Sequence, residues 1–569
     1  MLVKRRVILR SLAAMTFTQT LNLPYLSATS KTDPFESISP IDRLRPPHEY
    51  QQVTGDEPST AHKVLWNSDA YFKTNPYNSL KTETADVVVI GGGISGLSAA
   101  WHLKEQAPIL LEQASRFGGN AKGEVWHDTT YGIGAAYIVK PEENSSIYRL
   151  LKEIGAIEKL RSTHLEVKTL FGTETLKGFN QRLKDCPLHQ QKTWQRLKSA
   201  LLNYANETQG KIFPEIPTDD LDHRKYINEL DQVSFKQHLR KLANGELPSF
   251  IESYLEQYCW SAFGGTLEEI SAASGLNFLA GEFDDLLVGP GGNAWIAECF
   301  VQALSKHIPK SHFRAQSLVY SVEVTNDGVL VHYLDSKGQP HLIKAKRVVM
   351  SCPKFVVKRI LKGIETERLN AIQQLSYRAY LVSNALISEP LKDDFYELFL
   401  LGQSSANTDI EIEKRSEIVG VTDVLHGHFA TASPSHSPSH SPSHSPSHSP
   451  SHSVLTLYHP LPFEGGRSKV YGDMQLSAER QQVSKLLRES ILPALKLRSS
   501  SLQGVRLTRW GHPLPLAKTG LIANGMIDRL RQPFQNRVFF AQQDNWSLPA
   551  IEVALYEGQW AAKELLKSM

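Results

Sequence analysis

Apolar side chains along this chain fall into three rhythms. Unbroken apolar runs at Val87 to Ile90, Ile109 to Leu111, Val348 to Met350 and Val538 to Phe540 predict short strands buried on both faces. Alternation from Ser317 to Val324, the turn residues Asn326, Asp327 and Gly328, and a returning Val329 to Tyr333 predict a hairpin. Between about 150 and 285 the spacing turns helical, as at Leu150, Leu151 and Ile154, or Trp194, Leu197 and Leu201. Strands interleaved with helices predict an α/β chain with a largely parallel sheet, returned to more than once.

The first strand runs into Gly91, Gly93 and Gly96 at G-x-G-x-x-G spacing, and a helix rich in small residues begins there. The first glycine allows the tight turn, the second a close approach of backbone to a pyrophosphate, and the third close helix–strand packing. Ile94 and Ser95 then sit at a helix N-terminus, where free N–H groups and a partial positive charge favour phosphate. Glu112 closes the next strand, where a carboxylate would accept ribose hydroxyls. Strand, glycines, helix, strand and acid in that order predict a Rossmann-like dinucleotide domain.

Arg116, Gly118, Gly119 and Asn120 follow at once. Two glycines let backbone pass a bulky ligand, and Arg116 is placed to meet a phosphate or carboxylate. This Arg-x-Gly-Gly element resembles the second signature of the flavin-containing amine oxidase family, which includes monoamine, polyamine and L-amino-acid oxidases and, more distantly, phytoene desaturases. The resemblance continues through the small-residue turn at Gly134 and Ala135, expected beside the isoalloxazine, and through the return to the nucleotide domain, where Val319 is expected on the adenine side. It closes at Val538 to Ala562, where the family's last flavin element places Asp544 near the ribityl chain and the Ile551 N–H at the flavin.

The resemblance implies FAD, a Rossmann-like FAD domain interleaved with a mixed α+β substrate domain, and hydride transfer from a carbon beside an amine nitrogen of an amine or amino acid. Many members carry a lysine near flavin N5, and the register after Ser351 to Pro353 brings Lys358 close to that place; the alternative for Lys358 is a solvated helix charge. Members that bind FAD covalently use a cysteine before the final strand. This chain has none after Cys352, so FAD is expected to be non-covalent. Asn120 replaces an arginine frequent in amine oxidases, and Gln542 stands where the family usually has glycine. A desaturase or isomerase of an apolar polyene, and a non-catalytic flavin-binding protein, are the alternative readings.

Composition narrows the partners. Sixty-two basic and 59 acidic residues leave a net charge of +3, giving no electrostatic reason for nucleic-acid binding. The four cysteines form neither a zinc pattern nor a disulfide framework, and no metal is expected. The N-terminus carries Arg5 and Arg6 before a modest apolar run too short and polar for a stable membrane span. It looks like a twin-arginine signal, implying the matching export machinery and a periplasmic location; a basic extension of a cytoplasmic enzyme is the alternative. Tandem Ser-Pro-Ser-His over 433–453 lacks the apolar groups needed to order it and is expected to be a disordered loop. Nothing in the pattern sets an oligomeric state. The expected division is 1–29 signal, 30–82 arm, 83–140, 289–355 and 506–569 FAD domain, 141–288 and 356–505 substrate domain.

Overall fold

A computed structural model of the chain describes residues 53–75, 80–127, 129–172, 175–392, 394–401, 420–430 and 451–569. The signal at 1–29 and all but the end of the Ser-Pro-Ser-His repeat lie outside the described residues. No helix among the described residues is long and apolar enough to cross a membrane.

The nucleotide domain is built on a seven-stranded sheet. Lys81–Ile90 lies at its middle, parallel to Ile109–Leu111 on one side and to Pro340–Met350 on the other. Phe313–Arg314 extends one edge, and Val538–Phe540 pairs in parallel with the end of Pro340–Met350. The hairpin of Leu318–Thr325 and Gly328–Leu334 adds antiparallel to the first half of that strand. The unbroken Val87 to Ile90 run follows from burial on both faces. Val87 and Val89 pack with the helices Ile94–His102, Ala294–Leu304 and Ile551–Lys567, whereas Val88 and Ile90 pack with the hairpin and the helix Lys354–Ile360. The helices Ile94–His102 and Ile551–Lys567 touch through small residues: a Cβ on Gly558 would lie 2.4 Å from the Ser95 carbonyl oxygen, and Ser98 Oγ donates to the Leu555 carbonyl at 2.8 Å.

The substrate domain centres on an eight-stranded sheet in the order Val53–Gly55, Leu502–Pro515, Tyr377–Ile387, Ser453–Pro460, Asp423–His426, Glu397–Leu401, Lys168–Phe171, Lys177–Gly178. Helices between Phe179 and Gly281 share a core with Phe399 and Leu401 of this sheet. Expected limits at 82/83 and 355/356 fall inside the strand Lys81–Ile90 and the helix Lys354–Ile360, and two more shift. The boundary at 506 falls inside Leu502–Pro515, which belongs to the substrate sheet, so the last return to the nucleotide domain follows Pro515. The repeat's last residue, Ser453, is a buried first residue of a strand.

Candidate active site

The glycine turn is tightly built. Gly91 has φ +105°, and a Cβ on Gly96 would lie 1.9 Å from the Gly91 carbonyl oxygen and 2.5 Å from Ser351 Oγ. Glu112 ties this turn to the next, its two oxygens accepting the N–H groups of Gly92 at 2.7 Å and Ala114 at 2.8 Å. Gly118 and Gly119 take φ +111° and +60°, and Gly118 N–H donates to the Gly92 carbonyl at 2.7 Å. The Arg-x-Gly-Gly segment thus lies directly along the G-x-G-x-x-G turn.

Both segments open onto one continuous cavity of about 2260 Å³ between the two sheets. Gly93, Ile94 and Ser95 line it, and the helix they start has no side-chain cap, which leaves its N-terminal N–H groups to a ligand. Arg116 and Lys122 line the same region; Arg116 donates to the Gly123 carbonyl at 3.1 Å, and Lys122 interacts electrostatically with Glu112. Further along, the backbone of Gly134 and the methyl of Ala135 line the cavity, and a Cβ on Gly134 would meet the Asn120 carbonyl oxygen at 2.1 Å. Trp510 Nε1 donates to the Ile133 carbonyl at 2.8 Å and Tyr458 to that of Gly134 at 2.6 Å, fixing this segment. A second uncapped helix start, at Ala550 and Ile551, also faces the cavity. Val319 lines it from the nucleotide sheet.

Carboxylates collect beside the Gly134 segment. Glu282, Asp423 and Glu552 line the cavity among Tyr137, Tyr380 and Tyr458. Tyr137 donates to Glu282 Oε1 at 3.3 Å, Thr422 Oγ1 to Asp423 Oδ1 at 2.6 Å, and Val139 N–H to Glu552 Oε1 at 2.7 Å. Burial pushes Glu282 up to about 7 and Glu552 to about 6, and raises Asp423 beside Glu397, because the charged form loses its hydration. The glycine-turn end of the cavity thus holds Arg116 and Lys122 with the carboxylates Glu112 and Asp56, whereas the end near Gly134 and Ile551 holds carboxyls among tyrosines.

The flavin containing amine oxidoreductase family profile matches residues 94–563. This chain belongs to that family. Oxidoreductase PigB of Serratia sp. (strain ATCC 39006) is 23% identical over 524 residues, covering 84% of this chain and 74% of that protein. A flavin-containing amine oxidase of Oncorhynchus mykiss is 30% identical over 293 residues, covering 48% of this chain and 50% of that one. Among solved structures, cyclohexylamine oxidase from Brevibacterium oxydans superposes with a TM-score of 0.58 at 16% identity, over 85% of this chain and 99% of that chain. A fatty acid isomerase from P. acnes shares the fold equally well, with a TM-score of 0.58 at 14% identity, over 84% and 97%.

FAD is the cofactor of this oxidoreductase, and the cavity fits it: two uncapped helix starts, two glycine cradles, and Arg116 and Lys122 beside the glycine turn. Gly91, Gly93, Ile94, Ser95, Arg116, Gly118, Gly119, Asn120, Gly134, Ala135, Val319 and Ile551 all line one cavity, as does Glu112. Gly96 acts beneath it by packing.

Asp544 departs from its expected place, and Lys358 takes the place of a solvated helix charge. Asp544 does not line the cavity; its carboxylate accepts the Lys354 N–H at 2.7 Å, Lys354 Nζ at 2.8 Å and the Tyr377 hydroxyl at 2.7 Å, with no exposure. Gln542 and Gln543 line the cavity in its stead. Lys358 is exposed on the helix Lys354–Ile360 at the cavity margin, where its ammonium keeps contact with water. Sequence reading missed the carboxylates Glu282 and Asp423, which sit 141 positions apart and carry no local motif. Lys122, two residues past Asn120, likewise carries no local motif.

Proposed function

We propose that the protein oxidises the C–N bond of a small cationic amine. The observation that carries this is the carboxylate cluster of Glu282, Asp423 and Glu552 facing the cavity beside the Gly134 segment. FAD, when bound, supplies the two-electron acceptor for this chemistry. The chain's own part is to hold the amine. An arriving ammonium favours the ionised forms of Asp423 and Glu282 and offsets the desolvation that otherwise opposes them. Tyr137, Tyr380 and Tyr458 wall this region with bulky side chains that displace water, which strengthens the charge pairing. The Ile551 helix start directs its partial positive charge into the cavity, where it would favour negative charge on a bound ring.

The test is anaerobic addition of mono- and diamines and amino acids to the yellow holoprotein. Loss of the visible flavin band with an amine, and peroxide on readmitting air, is the expected result. Turnover of an apolar polyene with no response to any amine would replace this reading with the isomerase or desaturase one, and a yellow protein inert to both would make it a flavin-binding protein.

The arginine pair Arg5 and Arg6 supports export through the twin-arginine route, since a protein that folds around FAD must cross the membrane already folded. Periplasmic recovery lost on Arg5→Lys/Arg6→Lys substitution is the expected outcome; recovery in the cytoplasm from the unaltered chain would refute it.

A further inference from the structure

We propose that residues 53–74 form a strap across the FAD cavity whose opening sets the rate at which the cofactor leaves. The inference rests on FAD occupying the cavity described above.

The strap is anchored on both domains. On the substrate side Val53–Gly55 adds a parallel strand to Leu507, Thr508 and Arg509, with the Thr54 and Thr508 hydroxyls 3.0 Å apart. Asp56 extends the join: its N–H donates to the Arg509 carbonyl at 2.9 Å, its own carbonyl accepts from Arg509 Nε at 2.9 Å, and its carboxylate accepts the Gly511 N–H at 2.7 Å. On the nucleotide side the helix Pro58–Trp66 buries Val64 completely against Leu318, Tyr320 and Leu334 of the hairpin. The helix Ser68–Thr74 sets Phe72 on Tyr320 with ring centres 4.8 Å apart. Arg359 stacks on Trp66 at 3.8 Å, closing the join to the helix Lys354–Ile360.

Between these anchors the strap walls the cavity, with Thr54, Asp56, Ala61, His62 and Leu65 among its lining. Asp56 interacts electrostatically with Lys122, which in turn faces Glu112 and Arg116, so the strap reaches the phosphate end rather than the carboxylate cluster. A dinucleotide held along the glycine turn lies beside these residues while both anchors hold.

The strap is also the piece most easily released. Its strand has three residues at a sheet edge, and its helices have nine and seven residues, too short to persist without their packing. Local opening of such a segment needs far less free energy than unfolding either sheet. Gly55 is the weak point to exploit: it has φ +98°, and a Cβ there would fall 2.2 Å from the Arg509 carbonyl oxygen.

Two variants of the full-length holoprotein test this. Gly55→Val unseats the strand. Thr54→Cys/Thr508→Cys replaces facing residues of paired strands, a geometry that admits a disulfide, formed with an added thiol oxidant and reversed with dithiothreitol. FAD release is followed by the rise of free-flavin fluorescence after dilution, with limited proteolysis reporting whether the strap is loose. Gly55→Val is expected to release FAD about tenfold or more faster, and the oxidised pair about tenfold or more slower, returning to the wild-type rate on reduction, as expected when a structural change acts on the dissociation rate. Wild-type protein treated with the oxidant controls for its own thiols. An oxidised pair, its bond verified by mass, that releases FAD at the wild-type rate overturns the proposal. So does a Gly55→Val protein with a protease-sensitive strap and an unchanged rate. Should Gly55→Val fail to fold, the reversible pair still decides. A wild-type protein that never retains FAD would instead refute the cofactor's place in this cavity.

Discussion

Lys354 Nζ lies 2.8 Å from Asp544 Oδ1, and neither side chain has any exposure. The pair joins the start of the helix Lys354–Ile360 to the loop after Val538–Phe540, two segments that both follow strands of the nucleotide sheet. Removing one partner strands a buried charge, which costs about 3–5 kcal/mol, whereas replacing both with apolar groups of similar volume is often neutral. Lys354→Met and Asp544→Leu are therefore each expected to lose about 3 kcal/mol or more in urea unfolding, and the double variant to lose less than the sum, the remainder reflecting the Lys354 N–H and Tyr377 hydroxyl left without the Asp544 carboxylate. Additive losses would show that the pair is not coupled.

Gly96→Ala places a methyl 1.9 Å from the Gly91 carbonyl oxygen, against backbone that has no room to yield. The helix must shift away from the turn, and with it the N–H groups aimed at the cavity. The purified variant is expected to carry less than about a tenth of the wild-type flavin per chain, judged by the ratio of visible to ultraviolet absorbance, a loss in keeping with the strain of overpacking. Gly520→Ala provides a contrast, since a Cβ there meets nothing within 4 Å and only its φ of +82° opposes the change.

Amine affinity should depend on pH through the carboxylate cluster. With Glu282 at about 7 and Asp423 also raised by burial, the cluster gains negative charge as pH rises through about 7. The dissociation constant of a permanently charged quaternary amine, read from perturbation of the flavin spectrum, is expected to fall across that window. Asp423→Asn should weaken binding about tenfold at pH 7.5, in line with loss of a charge-assisted contact, and flatten the dependence. A flat wild-type profile would remove the cluster from recognition.

The same carboxyls bear on stability, with the opposite trend. Their ordinary values are 3.8 and 4.5, and burial raises both in the folded protein. Through this window the folded state holds more protons than the unfolded one, so their contribution to stability is full below about 4, declines as pH rises to about 7, and is level beyond. Thermal melts of the apoprotein should show this decline, and Asp423→Asn/Glu282→Gln should lessen it.

Lys358→Met tests the exposed lysine at the cavity margin. A general acid–base group contributes about 10²–10⁴-fold, whereas a solvated charge should change anaerobic flavin reduction by no more than about twofold. The second outcome is expected from its exposure.

What the sequence determined about this protein is its nucleotide half. A βαβ phosphate site is written within some 30 consecutive residues, because the turn, the helix start and the acid must follow one another along the chain to meet one ligand. The glycines, Glu112 and Arg116 are therefore legible in the sequence, as is the small-residue turn at Gly134. The local pattern also gave the hairpin at 326–328 and the helical stretch after 150. The Lys354–Asp544 pair, the carboxylates Glu282, Asp423 and Glu552, and the passage of residues 53–74 over the cavity were decided by the tertiary structure alone. Each joins segments more than a hundred residues apart, and each depends on which face of a strand or helix is turned inward once two sheets pack. A carboxylate on a strand reads as surface until the fold buries it, and an arm reads as a linker until two domains supply its anchors.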